Sequence, residues 1–140
     1  MTVYCIADFI TTIEKLQANN SYSGVLTDVC DFLADKDIAE LHQIKDILRK
    51  TDGIYSLNKY RIINSKTNKG KSGSYRCVCV CLPQKDEIYL GYIYPKTGSQ
   101  GKENLTAQDF KNIAKAVQVA ISTSNLYVLD IISKKYKKLS

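Results

Sequence analysis

The N-terminal part of the chain places its apolar residues with the spacing of amphipathic helices. Three such segments begin near Asp8, Val25 and Asp37. Turn residues end the first at Asn19-Asn20-Ser21 and the third at Thr51-Asp52-Gly53. The pattern therefore predicts three helices, and their apolar stripes are Phe9, Ile10, Ile13 and Leu16; Val25, Leu26, Val29, Phe32 and Leu33; and Ile38, Leu41, Ile44, Ile47 and Leu48.

Beyond this region the period changes to that of β-strands. The predicted strands are Leu57–Asn64, Ser74–Leu82 and Ile88–Tyr94. The second is apolar on both faces, which indicates a central position, and the short connections indicate an antiparallel meander. A last helix is predicted to begin at the N-cap Thr106, with a stripe formed by Phe110, Ile113, Ala114, Val117 and Ile121.

These elements predict one α+β domain over residues 1–140, in which residues 133–140 form a frayed basic tail. The apolar segment Leu126–Ile132 is compatible with a final strand or with more helix. No apolar run reaches the ~18 residues of a membrane span. Met1–Ile10 lacks the basic and apolar regions of a signal peptide, so we expect a cytoplasmic protein.

Charge is distributed unevenly along the chain, whose formal net charge is +6. Residues 1–57 carry a net −4, residues 58–102 a net +7 and residues 103–140 a net +3. A basic block of this size is expected of a surface that binds phosphate groups, although a solvated charge-rich hairpin would have the same composition.

The cysteine and histidine positions argue against a metal site and a hydrolytic triad. Cys77, Cys79 and Cys81 alternate along one predicted strand, without the two to four intervening residues of zinc-binding loops. We interpret the five cysteines as small packed residues and predict no metal and no cofactor. His42, the only histidine, is expected to be half exposed on the third helix, and nothing in the sequence suggests a nucleophile beside it.

The tripeptide Gly70-Lys71-Ser72 matches the end of a phosphate-binding P-loop, but the residues before and after it do not match that motif. Ser65 occupies the position of the first glycine, and a strand follows where the motif requires a helix. Lysine, arginine and tyrosine therefore remain as the candidate chemical groups. Such a set can cleave RNA, because the 2′-hydroxyl of the substrate is itself the nucleophile.

Three segments resemble toxins of the RelE/ParE superfamily, most closely the HigB-like branch. They are Leu57–Ile62 (LNKYRI), Asn68–Arg76 (NKGKSGSYR), and Ile93–Lys96 (IYPK) followed by Lys102–Thr106 (KENLT). The resemblance covers about residues 54–120. Two features depart from the family pattern: Ser74 stands where the second glycine of the hairpin motif is expected, and the third helix is longer than usual.

The resemblance implies a small antiparallel sheet with the N-terminal helices on one face and an RNA cleft on the other. It implies a metal-independent endoribonuclease that cleaves mRNA in the ribosomal A site (the 30S subunit) and is silenced by a cognate antitoxin. Arg76 matches the arginine that contacts the scissile phosphate, and the other catalytic candidates are Arg61, Lys71, Tyr94 and Lys96. The RNA-binding candidates from the basic block are Lys59, Lys66, Lys69 and Lys102.

Two alternatives stay open at the level of the sequence. A ParE-like toxin would bind and inhibit DNA gyrase without cleaving anything, but that branch generally lacks the set of basic residues and tyrosine. A degenerate or non-catalytic RNA-binding module would retain the basic surface alone.

From the strand pattern itself, Lys59 and Arg61 are expected side by side on one face of a strand.

Overall fold

The computed structural model describes residues 1–43, 47–51, 54–67, 73–97 and 104–139. Within these ranges no helix combines the length and the apolar character that crossing a bilayer requires. The elements in chain order are β1 (Thr2–Ile6), α1 (Ala7–Gln17), α2 (Val25–Ala34), α3 (Ile38–Gln43), β2 (Ile47–Thr51), β3 (Tyr55–Ile62), β4 (Tyr75–Leu82), β5 (Glu87–Pro95), α4 (Ala107–Ser122), β6 (Leu126–Asp130) and β7 (Lys135–Lys138).

The strands form one seven-stranded sheet in the order β2-β3-β4-β5-β1-β6-β7. All neighbours are antiparallel except β1 and β5, which run parallel. The predicted α+β class is confirmed, with a mostly antiparallel sheet, helices in the N-terminal part and one C-terminal helix.

The meander β3-β4-β5 is confirmed, and β4 lies in the middle of it. Every residue of β4 from Tyr75 to Cys81 is buried, because both faces of this strand are covered. Burial on both faces explains why the sequence of β4 is an almost continuous apolar run.

Helices α1, α2 and α4 follow the predicted stripes. Thr106 forms a full capping box with Asp109 at the start of α4, since each side chain bonds the backbone N–H of the other residue. The predicted stripe of α4 is wrong at one position: Ile121 is 36% exposed, and Ala120 is buried instead.

The prediction of the third helix is wrong over Ile47–Thr51. Helix α3 spans Ile38–Gln43, and Ile44 of the predicted stripe lies outside the described residues. Ile47–Thr51 is strand β2, which pairs antiparallel with β3. Helical spacing and a short apolar strand are hard to distinguish in such a segment, and pairing with β3 decides in favour of the strand.

Three further strands complete the sheet. Strand β1 has no counterpart among the predicted elements, and Leu126–Asp130, which the sequence left open, is strand β6. The prediction of a frayed tail is also wrong, because Lys135–Lys138 pairs with β6 as strand β7. The Tyr136 hydroxyl, on that strand, donates a hydrogen bond to Glu14 of α1 at 3.3 Å.

The two faces of the meander have different neighbours. We call the first the Tyr60 face: Phe32 of α2 lies 5.5 Å from the Tyr60 ring between centroids, and the Tyr60 hydroxyl donates to the Leu41 carbonyl of α3 at 2.8 Å. The opposite face, named the Arg76 face, carries Lys59, Arg61, Arg76, Val78, Tyr92 and Tyr94, because directly paired residues of neighbouring strands point the same way.

Helix α4 reaches the Arg76 face at a bulge of β5. The pairing shifts between Val78 and Cys79, which leaves Gly91 as the extra residue of β5. A Cβ at Gly91 would lie 2.8 Å from Cγ2 of Ile113 and 3.3 Å from Cγ2 of Val117. The absence of a side chain at this position therefore allows α4 to approach the sheet.

We expect Gly91→Ala to lower the free energy of unfolding by about 2 kcal/mol, because the stiff Ile113 side chain and the helix must move. Gly24→Ala is the matched control: its Cβ would meet the flexible Lys66 side chain at 3.3 Å, so the change should be about 1 kcal/mol or less. Urea denaturation of both variants measures the two values. Equal stability of the two variants would contradict the close approach at Gly91.

Candidate functional site

Three of the predicted site residues form one row across the sheet. Arg61 of β3 lies directly opposite Arg76 of β4, and Arg76 lies directly opposite Tyr94 of β5. Their side chains therefore share the Arg76 face, although they are separated by 15 and 18 positions in the chain. Like charges placed directly opposite each other destabilise a sheet, so this row contains a local electrostatic cost.

The Arg76 guanidinium is held close to its own strand. Its side chain is only 9% exposed, and its Nη1 donates to Ser74 Oγ at 2.6 Å and to the Tyr75 carbonyl at 3.3 Å. An arginine stays charged when buried, since its pKa is far above neutrality. The row thus contains a permanent positive charge that is largely removed from water.

Tyr94 is almost fully buried, with 2% of its surface exposed. Burial raises the pKa of its phenol; the nearby Arg76 charge opposes that rise, and Tyr92 adds to it. The phenol is therefore protonated at neutral pH and can act as a hydrogen-bond donor or a general acid.

A second row lies beside the first on the same face. Lys59 is opposite Val78, and Val78 is opposite Tyr92, so Lys59 and Arg61 share one face of β3 as the strand pattern predicted. Tyr92 is half buried, and its ring lies 5.9 Å from that of Tyr94 between centroids, with 30° between the planes. Sequence reasoning did not select Tyr92; its position two residues before Tyr94 in the same strand was the available signal.

Lys96 and Lys66 occupy different surroundings. The Lys96 backbone N–H donates to the Ser74 carbonyl at 3.1 Å, which brings the end of β5 next to the start of β4. The Lys96 ammonium donates to Asn104 Oδ1 at 3.4 Å. Lys66, in contrast, lies against Gly24 at the start of α2, a helix that packs on the Tyr60 face. The structure does not bring Lys66 into the row.

The remaining predicted residues are Lys69, Lys71 and Lys102. They lie outside the described residues, so the rows of the Arg76 face are built from Lys59, Arg61, Arg76, Tyr92 and Tyr94.

The expectation for His42 is wrong. This histidine is 6% exposed, and its Nδ1 lies 2.7 Å from the hydroxyl oxygen of Ser56. Asn58 donates to the same oxygen at 2.7 Å. A histidine beside a serine is the pattern of a nucleophile with its base, but Ser56 is 0% exposed, so a substrate cannot reach it. The pair instead joins α3 to β3. The sequence pattern does not indicate this contact, because the two residues belong to different elements.

The five cysteines are free and buried, as the sequence predicted. Cys77 Sγ and Cys79 Sγ lie 3.5 Å apart on one face of β4. Burial raises the pKa of the Cys30 thiol to about 11 and that of Cys79 well above its ordinary value. Raised pKa values keep these thiols protonated and unreactive. In the described part of the chain, no three histidine, cysteine, aspartate or glutamate side chains are grouped to hold a metal ion.

The proximity of Arg76 and Tyr94 predicts a measurable effect on titration. Removing the guanidinium by Arg76→Ala removes the charge that favours the phenolate, so the pKa of Tyr94 should rise further above its ordinary value. NMR titration of the chain with isotope-labelled tyrosine measures this shift.

Arg61→Ala is the matched control, since it removes a charge of the same row that lies one strand further from Tyr94; its Tyr94 titration should match the wild type. A lower or unchanged Tyr94 pKa in Arg76→Ala would contradict the arrangement of the row.

Comparison with protein-family models, with curated proteins and with solved structures finds no match for this chain. The Arg76 face carries two arginines and a buried tyrosine in register across three strands.

Proposed function

We propose that this chain is a ribosome-dependent endoribonuclease, the toxin of a type II toxin–antitoxin system. It cleaves mRNA in the ribosomal A site through attack of the substrate 2′-hydroxyl on the adjacent phosphodiester, a reaction that needs no metal or other cofactor. The observation that carries the proposal is the row formed by Arg61, Arg76 and Tyr94 on the Arg76 face.

The electrostatics of the row favour an anionic ligand. Two arginines directly opposite each other repel, and a phosphate bound between or above them would turn that repulsion into attraction. Arg61 is exposed and Lys59 is half buried beside it, so both belong to a surface that a nucleic acid backbone can approach. The net charge of +7 over residues 58–102 acts in the same direction over a longer distance.

The chemical roles follow from the state of each side chain. Arg76 supplies a fixed positive charge for the phosphorane that forms when the 2′-hydroxyl attacks. Tyr94 is protonated and is the candidate general acid for the leaving oxygen, while the proton of the attacking 2′-hydroxyl passes to solvent water. Lys96, whose backbone is joined to Ser74 at the same end of β4, supplies a further cation near this end of the sheet. Lys71 is proposed on the motif resemblance alone.

The antitoxin and the ribosome are proposed as partners. The basic block attracts an acidic antitoxin segment for the same electrostatic reason that it attracts RNA, so one surface would serve both the substrate and the inhibitor.

A second candidate is an RNA-binding module that does not cleave. It is favoured by one specific observation, the burial of the two reactive side chains: Tyr94 is 2% exposed and Arg76 is 9% exposed. A general acid must reach its substrate, whereas a structural tyrosine need not. Cleavage therefore requires that RNA binding uncovers the Tyr94 hydroxyl.

We expect cleavage of mRNA to depend on translating ribosomes, because weak acids and bases need an oriented substrate to reach a useful rate. Incubation of the protein with one mRNA, with and without translating ribosomes, followed by mapping of the fragment 5′ ends, measures this dependence. Equally efficient cleavage of the naked message would contradict it. An intact message with bound protein would support the binding module, and inhibition of gyrase instead would support a ParE-like toxin.

Arg76→Ala is expected to reduce the single-turnover cleavage rate at least about a hundredfold while the protein still binds ribosomes and antitoxin. Arg76→Lys should recover little, since an ammonium group cannot make the two-pronged contact of a guanidinium. Lys85→Ala, which removes an exposed cation from the turn between β4 and β5, is the control and should retain the rate. If Arg76→Ala lowers the melting temperature but keeps its specific activity, Arg76 is only structural.

A further inference from the structure

Ser74 contacts two of the proposed site residues at once. Its hydroxyl accepts a hydrogen bond from Arg76 Nη1 at 2.6 Å, and its backbone carbonyl accepts one from the Lys96 N–H at 3.1 Å. The residue is 1% exposed, so its hydroxyl is not exchanging freely with water. The short distance and the charged donor make this a strong hydrogen bond.

We infer that Ser74 is the positioning residue for Arg76, and that its hydroxyl holds the guanidinium in the row with Tyr94. The inference rests on the proposed function for its catalytic consequence, but the positioning itself is a property of the folded chain. A long arginine side chain has many rotamers, and a bond to one end of the guanidinium removes most of that freedom before a substrate arrives.

Two hydrogen bonds from Nη1 define the orientation of the Arg76 guanidinium. Ser74 and Tyr75 both accept from Nη1, so they fix one corner of the planar guanidinium from the side where β4 begins. A planar group held at one corner keeps a defined orientation, which two-pronged recognition of phosphate requires.

This role belongs to a position where the chain departs from the family that it resembles. A glycine is expected at position 74 of the hairpin motif, and glycine has no hydroxyl to offer. The serine therefore adds a contact that the motif does not contain. The family pattern by itself thus gives no reason to select Ser74 as a functional residue.

The Tyr94 titration tests the positioning without assuming any activity. Ser74→Ala and Ser74→Gly each remove the hydroxyl, so the guanidinium should move away from Tyr94 and the Tyr94 pKa should rise, by no more than in Arg76→Ala. In the Arg76→Ala background, Ser74→Ala should cause no further change. Tyr22→Phe is the control, because it removes a buried hydroxyl that bonds the Thr97 carbonyl and not Arg76; its Tyr94 titration should be unchanged.

A Tyr94 pKa that is unchanged in Ser74→Ala, or that rises equally with and without Arg76, would overturn the inference. A structural loss alone would lower the melting temperature without this dependence on Arg76.

The cleavage assay adds the functional consequence. Ser74→Ala should lower the single-turnover rate about tenfold or more at saturating substrate, and it should have no effect in the Arg76→Ala background. If Arg76→Ala itself leaves the rate unchanged, the proposed function fails and the positioning result from the titration still stands. If Arg76→Ala is slow and Ser74→Ala is as fast as the wild type, only the role of Ser74 is wrong.

Discussion

Burial of strand β4 on both faces is the constraint on which the rest of this structure depends. A strand that is covered from Tyr75 to Cys81 cannot shift its register, because a slip by one residue would exchange the side chains of its two faces. Its register with β3 and β5 fixes which residues meet across the sheet. The register therefore fixes the backbone positions of Arg61, Arg76 and Tyr94 relative to each other.

The same constraint explains how a charged side chain can be held at the edge of the core. Arg76 is the second residue of β4, where the Tyr75 carbonyl and the Ser74 hydroxyl are close enough to accept hydrogen bonds from it. A buried charge is tolerated when it is hydrogen-bonded, whereas an unpaired one is strongly destabilising. The start of the strand provides these acceptors because Ser74 is the last residue of the connection from β3 and Tyr75 is the first residue of β4.

The Tyr60 face shows what a purely structural polar cluster looks like in this protein. Ser56 accepts from Asn58 and lies 2.7 Å from His42, and the Tyr60 hydroxyl donates to the Leu41 carbonyl. These contacts connect α3 with β3 and leave no solvent-exposed reactive atom, since Ser56 is 0% exposed. The Arg76 face differs in one respect: Arg61, a charged residue of its row, is exposed beside the buried Arg76.

The sequence by itself determined the elements whose signals are local. These are α1 and α2, the N-cap Thr106 that begins α4, the meander, and the basic block between residues 58 and 102. Only the tertiary structure decided the insertion of β1 between β5 and β6, the strand β2 where a helix was predicted, and the pairing of β7. Motif resemblance selected Arg61, Arg76 and Tyr94, but their register and the Ser74 contact came from the fold. The physical reason is that helix spacing and caps act over a few residues, whereas strand pairing joins distant segments, and the energy of that pairing depends on partners that no local pattern names.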